Sequence, residues 1–365
     1  MHNRSVSGSI TGLLQKGGLW FAILLAPCAS GAARYVCVSN STPVAPYTNW
    51  ATAATTIQAA VVVASNGDTV WVSNGVYSTG TVVTPGGTLS NRVAVTNGVL
   101  IRSVNGPQVT IIEGSGSNSY NTASAVRCVY MKNGALDGFT LRGGATYGSA
   151  QSGAVADYDL YGGGVNRYGA ISGTTVTNCI IRDCRATAGA GAYCGTLETC
   201  LLSGNTSLNW GGGAYSCVLN NCTLTNNTSL NGGGASSCGL NNCTLSGNAA
   251  SNSGGGSDSC TLNNCSLSGN SAYYGGGAYA GTLNNCALSG NTAVSDGGGA
   301  YGGSLMHCTL KNCTLTGNKA VNGGGAYNSA MDNCTLTDNS ATYGGGAYYN
   351  TLNNCTLSGN GASTC

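Results

Sequence analysis

Leu197-Glu198-Thr199-Cys200-Leu201-Leu202-Ser203-Gly204-Asn205 is one copy of a phrase that decides the fold: an apolar residue, two others, Cys, one residue, Leu, two residues, Asn. It restarts at Leu219, Leu240, Leu262, Leu283, Leu310, Met331 and Leu352, at steps of 21 or 22 residues except for one step of 27 between Leu283 and Leu310. A fixed period of this size means one structural unit stacked on itself. Within a copy, Cys222 and Leu224 alternate with Thr223, so they share one face of a strand. Leu219 lies three residues before Cys222, and plain alternation cannot turn both inward. A corner at Asn220-Asn221 resolves the conflict, because Asn tolerates the left-handed backbone of a tight corner. Asn227 closes the strand with an amide able to bond the backbone of neighbouring coils.

The phrase also fits a leucine-rich repeat, with Cys in the second Leu slot. The rest of the unit decides against that. Gly211-Gly212-Gly213-Ala214-Tyr215 stands where such a repeat places a helix, and each glycine costs roughly 1 kcal/mol in a helix. Glycine suits turns, and Ala214 to Leu219 suits another short strand. The expected fold is therefore all-β: a right-handed parallel β-helix with coils of 21–22 residues, advancing about 4.8 Å per coil. The 27-residue step should appear as an outward bulge that leaves the stacking intact.

The Gly-Gly-Gly-Ala-Tyr and Leu-Ser-Gly-Asn elements resemble the repeats of chlamydial polymorphic outer-membrane proteins, with Leu in their Phe slot and Ala-Tyr in place of an Ile. More broadly, the chain resembles secreted bacterial β-helix proteins of the pectin-lyase-like superfamily. Thr56-Ile57-Gln58-Ala59-Ala60-Val61, followed by Gly67-Asp68-Thr69-Val70-Trp71-Val72, carries that resemblance. It implies a short helix over residues 55–64 that caps the barrel. The shared fold hosts lyases, hydrolases, adhesins and inert stalks alike.

Residues 1–33 read as a secretory signal: a basic start with His2, Arg4 and Lys16, an apolar run from Leu19 to Ala26, and small residues Gly31-Ala32-Ala33. That run is too short to span a bilayer. Residues 34–175 are expected to hold the cap and irregular first coils, and residues 176–365 the regular coils. The chain stops at Ser363-Thr364-Cys365, inside the turn that precedes Gly-Gly-Gly in earlier copies, and is expected to be a fragment of a longer one. An exported protein, extracellular or at the cell surface (outer membrane), follows.

Charge is sparse, with 13 basic and 11 acidic residues, and no Lys or Arg lies between Arg185 and Lys311. Nucleic acid is excluded as a partner, since binding it needs phosphate-neutralising cations. Removing Cys28 with the signal leaves 18 of the 19 cysteines. Cys179, Cys200, Cys222, Cys243, Cys265, Cys286, Cys313, Cys334 and Cys355 form one inward column, and Cys217, Cys238 and Cys260 a shorter one. Stacked side chains stay about a coil apart, farther than the roughly 3.8 Å between Cβ atoms that a disulfide favours. They are expected to be free thiols acting as small hydrophobes. A one-per-coil column cannot converge on a tetrahedral ion, so no metal site is expected.

Enzymes of the resembled superfamily need clustered carboxylates for calcium or acid–base work, usually with Lys or Arg. The regular coils offer only Glu198, Asp258, Asp296, Asp332 and Asp338, scattered. No catalytic residue is assigned there. Charge concentrates instead where the period lapses, over residues 137–185. If the chain is a polysaccharide lyase or glycoside hydrolase, Asp157, Asp159 and Arg167 are the candidates for catalysis, with Ca2+ as cofactor for the lyase and no cofactor otherwise. Tyr158, Tyr161 and Tyr168 are candidates for binding glycan. Two outward stripes complete the pattern. Tyr193, Tyr215, Tyr279, Tyr301, Tyr327 and Tyr348 recur at one place in the unit, suited to stacking on one another or on sugars. Thr223-x-Thr225 and its repeats resemble the threonine arrays of ice-binding proteins, though Ser266 and Ala287 interrupt them. The favoured expectation is a non-catalytic stalk or adhesin-like passenger that contacts glycans or neighbouring cells.

Overall fold

A computed structural model describes residues 31–116, 124–148, 159–169, 174–303 and 307–364. The expected signal sequence lies almost wholly outside them. One coil shows how the others form. Ala214–Asn220 belongs to a long parallel sheet, Thr223–Thr225 to a second sheet and Thr228–Asn231 to a third. Asn221 and Asn226, both at φ 54°, make the two corners between them. The next coil repeats the path, with Leu219 beside Leu240, Leu224 beside Leu245 and Thr228 beside Ala249. Every such pairing is parallel, and a crossover joining parallel strands of one sheet is right-handed. The chain is a right-handed parallel β-helix.

A third left-handed residue, Ser216 at φ 53°, was not legible as a corner. It lets Tyr215 point out while Ala214 and Cys217 are both buried. The glycine triplet closes each coil for two separate reasons. Gly211 takes φ +58°, and a Cβ on Gly212 or Gly213 would stand 2.5–2.6 Å from the carbonyl oxygen of Gly233 or Gly234 in the next coil. Only glycine allows backbones to pass that closely.

The interior is a set of ladders. Leu197, Leu219, Leu240, Leu262, Leu283 and Leu310 are fully buried, as are Leu202, Leu224, Leu245, Leu267, Leu288, Leu315 and Leu336. Each contributes about 1.5–3 kcal/mol by leaving water. Between them runs the expected amide ladder. Asn227 donates from Nδ2 to the Leu202 carbonyl (3.0 Å) and to Asn248 Oδ1 (3.0 Å), while its backbone N–H donates to the same oxygen (3.0 Å). Asn205, Asn248, Asn270, Asn291, Asn318 and Asn339 repeat the pattern fully buried.

The cap is a helix at Ile57–Val63, within the expected 55–64. Thr56 caps it by accepting the Ala59 N–H at 3.3 Å, and Ile57, Ala60 and Val61 face the core. The stack begins well before Val176. Ala33–Val36 pairs with Thr69–Val72, then follow Leu100–Ser103, Ala135–Asp137, Thr175–Thr177 and Ala192–Glu198 in one continuous parallel ladder. The irregularity expected of residues 34–175 resides in the connections rather than in the coils. Across the 27-residue step Leu283 sits directly beside Leu310, so stacking is intact; residues 304–306, part of the inserted stretch expected to bulge outward, lie outside the described residues. No helix among the described residues is long and apolar enough to cross a membrane.

Candidate functional site

The turn through the glycine triplet sets two outward columns side by side. One runs Tyr193, Tyr215, Ser236, Asp258, Tyr279, Tyr301, Tyr327, Tyr348, each in register with the next. The other, on the strand entering the turn, runs Trp210, Asn231, Ser253, Tyr274, Asp296, Asn322, Tyr343. Coil stacking forces the rings together. Tyr279 and Tyr301 lie 5.2 Å apart and 15° from parallel, Tyr301 and Tyr327 5.2 Å and 5°. Tyr193 and Tyr215 stack at 5.7 Å. The interior rings of each stack thus spend their faces on one another, as the stabilising reading of the stripe expects. Burial raises the phenol pKa of Tyr193, Tyr279 and Tyr301, so the phenols are neutral donors.

The candidate tyrosines of the irregular stretch join the head of this strip. Tyr168 stacks on Tyr193 at 6.2 Å and Tyr161 meets it edge-on at 4.8 Å. Trp210 stacks on Tyr215 at 6.0 Å. Tyr168 and Trp210 are 46% and 41% exposed, so they present more aromatic surface to solvent than buried Tyr193 or half-buried Tyr215. Trp210 escaped sequence reasoning, because no other copy carries Trp there; its place five residues before Tyr215, just ahead of the glycines, was the available signal. Tyr158 and Asp157 lie outside the described residues.

The two described ionisable candidates, Asp159 and Arg167, do not form an open acid–base pair. Asp159 is fully buried, its Oδ2 accepting the Thr88 N–H (2.7 Å) and hydroxyl (3.2 Å), which pins a loop 71 residues away in sequence. Arg167 is 2% exposed, donates to the Thr196 carbonyl at 2.8 Å and packs over Gly195; burial lowers its pKa. Near Asp159 lies a cation that sequence reasoning passed over. Arg127 is fully buried and donates to Asn91 Oδ1 (2.8 Å), Thr84 Oγ1 (3.2 Å) and the carbonyls of Gly162 (2.8 Å) and Tyr161 (2.9 Å). Desolvation pulls its pKa down to about 10, against the pull of the Asp159 carboxylate. This network ties connections to coils, which is a structural task.

Between the two tyrosine stacks stand Ser236 and Asp258. Asp258 is 9% exposed and accepts from the hydroxyls of Ser253 (2.5 Å) and Ser259 (2.9 Å); burial raises its pKa all the same. Among the described residues no three His, Cys, Asp or Glu side chains converge as a metal site. On the second sheet the Thr223 and Thr225 columns run in register, and Ser266 and Ala287 interrupt the first of them as expected.

No family model matches the chain, and no curated protein matches it; the repeat resemblance to chlamydial polymorphic outer-membrane proteins therefore gains no support from either. Solved structures with a related chain path include a rhamnogalacturonan lyase, 12% identical with a TM-score of 0.39, covering 89% of this chain and 87% of that one. Others are the pectate lyase Pel9A, 11% identical (TM-score 0.37; 88% and 78% covered), and a polygalacturonase from Erwinia carotovora ssp. carotovora, 11% identical (TM-score 0.36; 90% and 93% covered). Likeness at this level says nothing of activity. The right-handed parallel β-helix itself stands on the strand register above.

Proposed function

We propose that this chain is an exported, non-catalytic surface or extracellular β-helix, a rigid stalk or adhesin-like passenger that contacts glycans through its aromatic strip. The observation that carries this is the head of the strip, where Tyr161, Tyr168, Tyr193, Trp210 and Tyr215 gather on adjoining coils. An aromatic ring joins an apolar face to a polar tip, which suits the mixed surface of a sugar. Backbone pairing along the coils fixes the spacing of the rings before any ligand arrives, so little ordering cost remains for binding.

The test is binding to immobilised neutral and uronate-containing polysaccharides, with and without calcium, by the wild type and a Tyr168→Ala/Trp210→Ala variant. Two exposed aromatic anchors at about 1–2 kcal/mol each should weaken binding at least tenfold while the circular dichroism spectrum is unchanged. Equal binding by both proteins would remove the strip from the proposal. Release of shortened or unsaturated sugars, lost in an Asp157→Ala variant, would replace it with the lyase or hydrolase reading. Export is checked separately, by fusing residues 1–33 to a reporter active only outside the cytoplasm.

A further inference from the structure

The cysteine column is more regular than packing alone demands. All nine thiols, from Cys179 to Cys355, place Sγ 3.2–3.4 Å from the carbonyl oxygen two residues earlier. Where adjacent rungs are bonded, the Cys backbone N–H donates to the sulfur of the next coil at 3.4–3.5 Å, as from Cys200 to Cys222, Cys222 to Cys243, Cys243 to Cys265, Cys286 to Cys313 and Cys313 to Cys334. Identical contacts mean one shared rotamer, so neighbouring sulfurs stand one coil apart, about 4.8 Å. That is too far for a disulfide and too linear for a tetrahedral ion. It matches two collinear metal–sulfur bonds of about 2.3 Å each.

We propose that adjacent rungs of this column form two-coordinate sites for a soft, linear-binding cation of the mercury(II) class, one ion per pair of thiols. Thiolate sulfur selects soft ions. Two S–H bonds break, two metal–sulfur bonds form, and two protons pass to solvent. A divalent ion between two thiolates is neutral, which a core of Leu, Ala and Asn tolerates; a monovalent ion would leave a buried negative charge with no partner. Losing the thiol protons leaves the carbonyls two residues earlier satisfied, because these already accept backbone N–H groups: Asn220 from Thr199, Asn241 from Asn221 and Asn263 from Asn242. The inter-coil N–H donors to sulfur remain in place and orient the thiolates. The chain would thereby capture thiophilic metal, a role separate from glycan contact.

Two variants with equal thiol counts decide the matter. One replaces alternate rungs (Cys200, Cys243, Cys286 and Cys334, each →Val), leaving five column thiols of which none are neighbours. The other replaces four consecutive rungs (Cys286, Cys313, Cys334 and Cys355, each →Val), leaving five in a row. The reduced full chain is titrated with mercuric chloride, and bound metal is counted after gel filtration. The block variant should hold about two more ions than the alternate one, since it keeps about two adjacent pairs; equal uptake overturns the proposal. X-ray absorption and melting of the wild type need no substitution and decide alone if a variant misfolds. Two sulfur neighbours and a raised melting temperature are expected. Three or more sulfurs, or a lowered melting temperature, overturn the proposal.

Discussion

The coils before Arg185 and those after it solve the same problem with different chemistry. The early coils fill the barrel with Val70, Ile101, Ile112, Met131, Leu136, Phe139 and Leu141 and carry, among the described residues, the ion pairs Arg34–Asp68, Arg102–Asp137, Arg142–Glu113 and Arg182–Asp183. The later coils repeat Leu, Cys and Asn and satisfy their buried polar groups through ladders along the axis. An irregular coil must fit its neighbours side chain by side chain. A repeated coil needs only one solution, and identical rungs then supply one another's partners. The difference predicts where each half is vulnerable.

The largest effect should come from alkali, and from the later coils. Burial raises the thiols of Cys238, Cys260 and Cys308, the last to about 12. A thiol raised in the folded state ionises first in the unfolded chain, so stability is full below pH about 8.5 and falls as pH rises toward the folded value. Each such thiol withdraws about 1.4 kcal/mol per pH unit, and these three together about 4 kcal/mol. Hydrogen exchange between pH 8 and 10.5, corrected for intrinsic rate, should show residues after Arg185 opening before the coils of Val70 and Leu136. Simultaneous opening would mean the two halves are one cooperative unit.

Next comes the early half's own weak point. Arg127→Ala removes a cation that serves Asn91, Thr84 and two carbonyls, and leaves them buried without it. About 3–5 kcal/mol should be lost in urea unfolding. A cost under about 1 kcal/mol would show that water replaces the guanidinium. The later half's counterpart is Asn248→Ala. Asn248 accepts from the Asn227 backbone and amide and donates to Leu224 and Asn270, so about 2–4 kcal/mol should go with it. Asn241, in a part-buried outer amide ladder with Asn220 and Asn263, should cost within about 0.5 kcal/mol when replaced by Ala. Equal costs for Asn241 and Asn248 would deny the inner ladder its special weight.

This contrast also explains what could be read in advance. Leu219, Cys222, Leu224 and Asn227 repeat, and repetition converts a local pattern into a prediction about neighbours 21 residues away. Their inward column, the corner at Asn221 and the uninterrupted stack past Leu310 followed from spacing alone. Asp159 repeats nowhere, and its burial depends on Thr88, to which no period points. The same holds for Arg127, whose partners come from three separate segments. The sequence offers Tyr161 and Tyr168 as glycan-binding candidates in an irregular stretch, and the tyrosine stripe as a separate feature. Only the fold shows that they meet at Tyr193, and that Trp210 stacks on the next ring of the column, Tyr215.

The smallest effect tests a single break in a repeated column. Ser236 and Asp258 interrupt the tyrosines, and Asp258 holds a carboxylate in a place its neighbours fill with rings. Its pKa is raised by burial even though Ser253 and Ser259 donate to it, so the charged form is the poorer fit. For a carboxyl raised in the folded state, stability is complete below the ordinary value of about 3.9 and is lost as pH climbs through the folded value. At neutral pH the wild type therefore carries a cost that a neutral isostere lacks. Asp258→Asn keeps one oxygen for a serine hydroxyl and turns an amide N–H2 toward the other, whose oxygen can accept. It should raise the melting temperature at pH 7, and the gain should vanish at pH 3.5. A gain that persists at pH 3.5 would trace the effect to packing rather than charge. A loss at pH 7 would mean that the two serine hydroxyls outweigh burial and that the carboxylate belongs in the column.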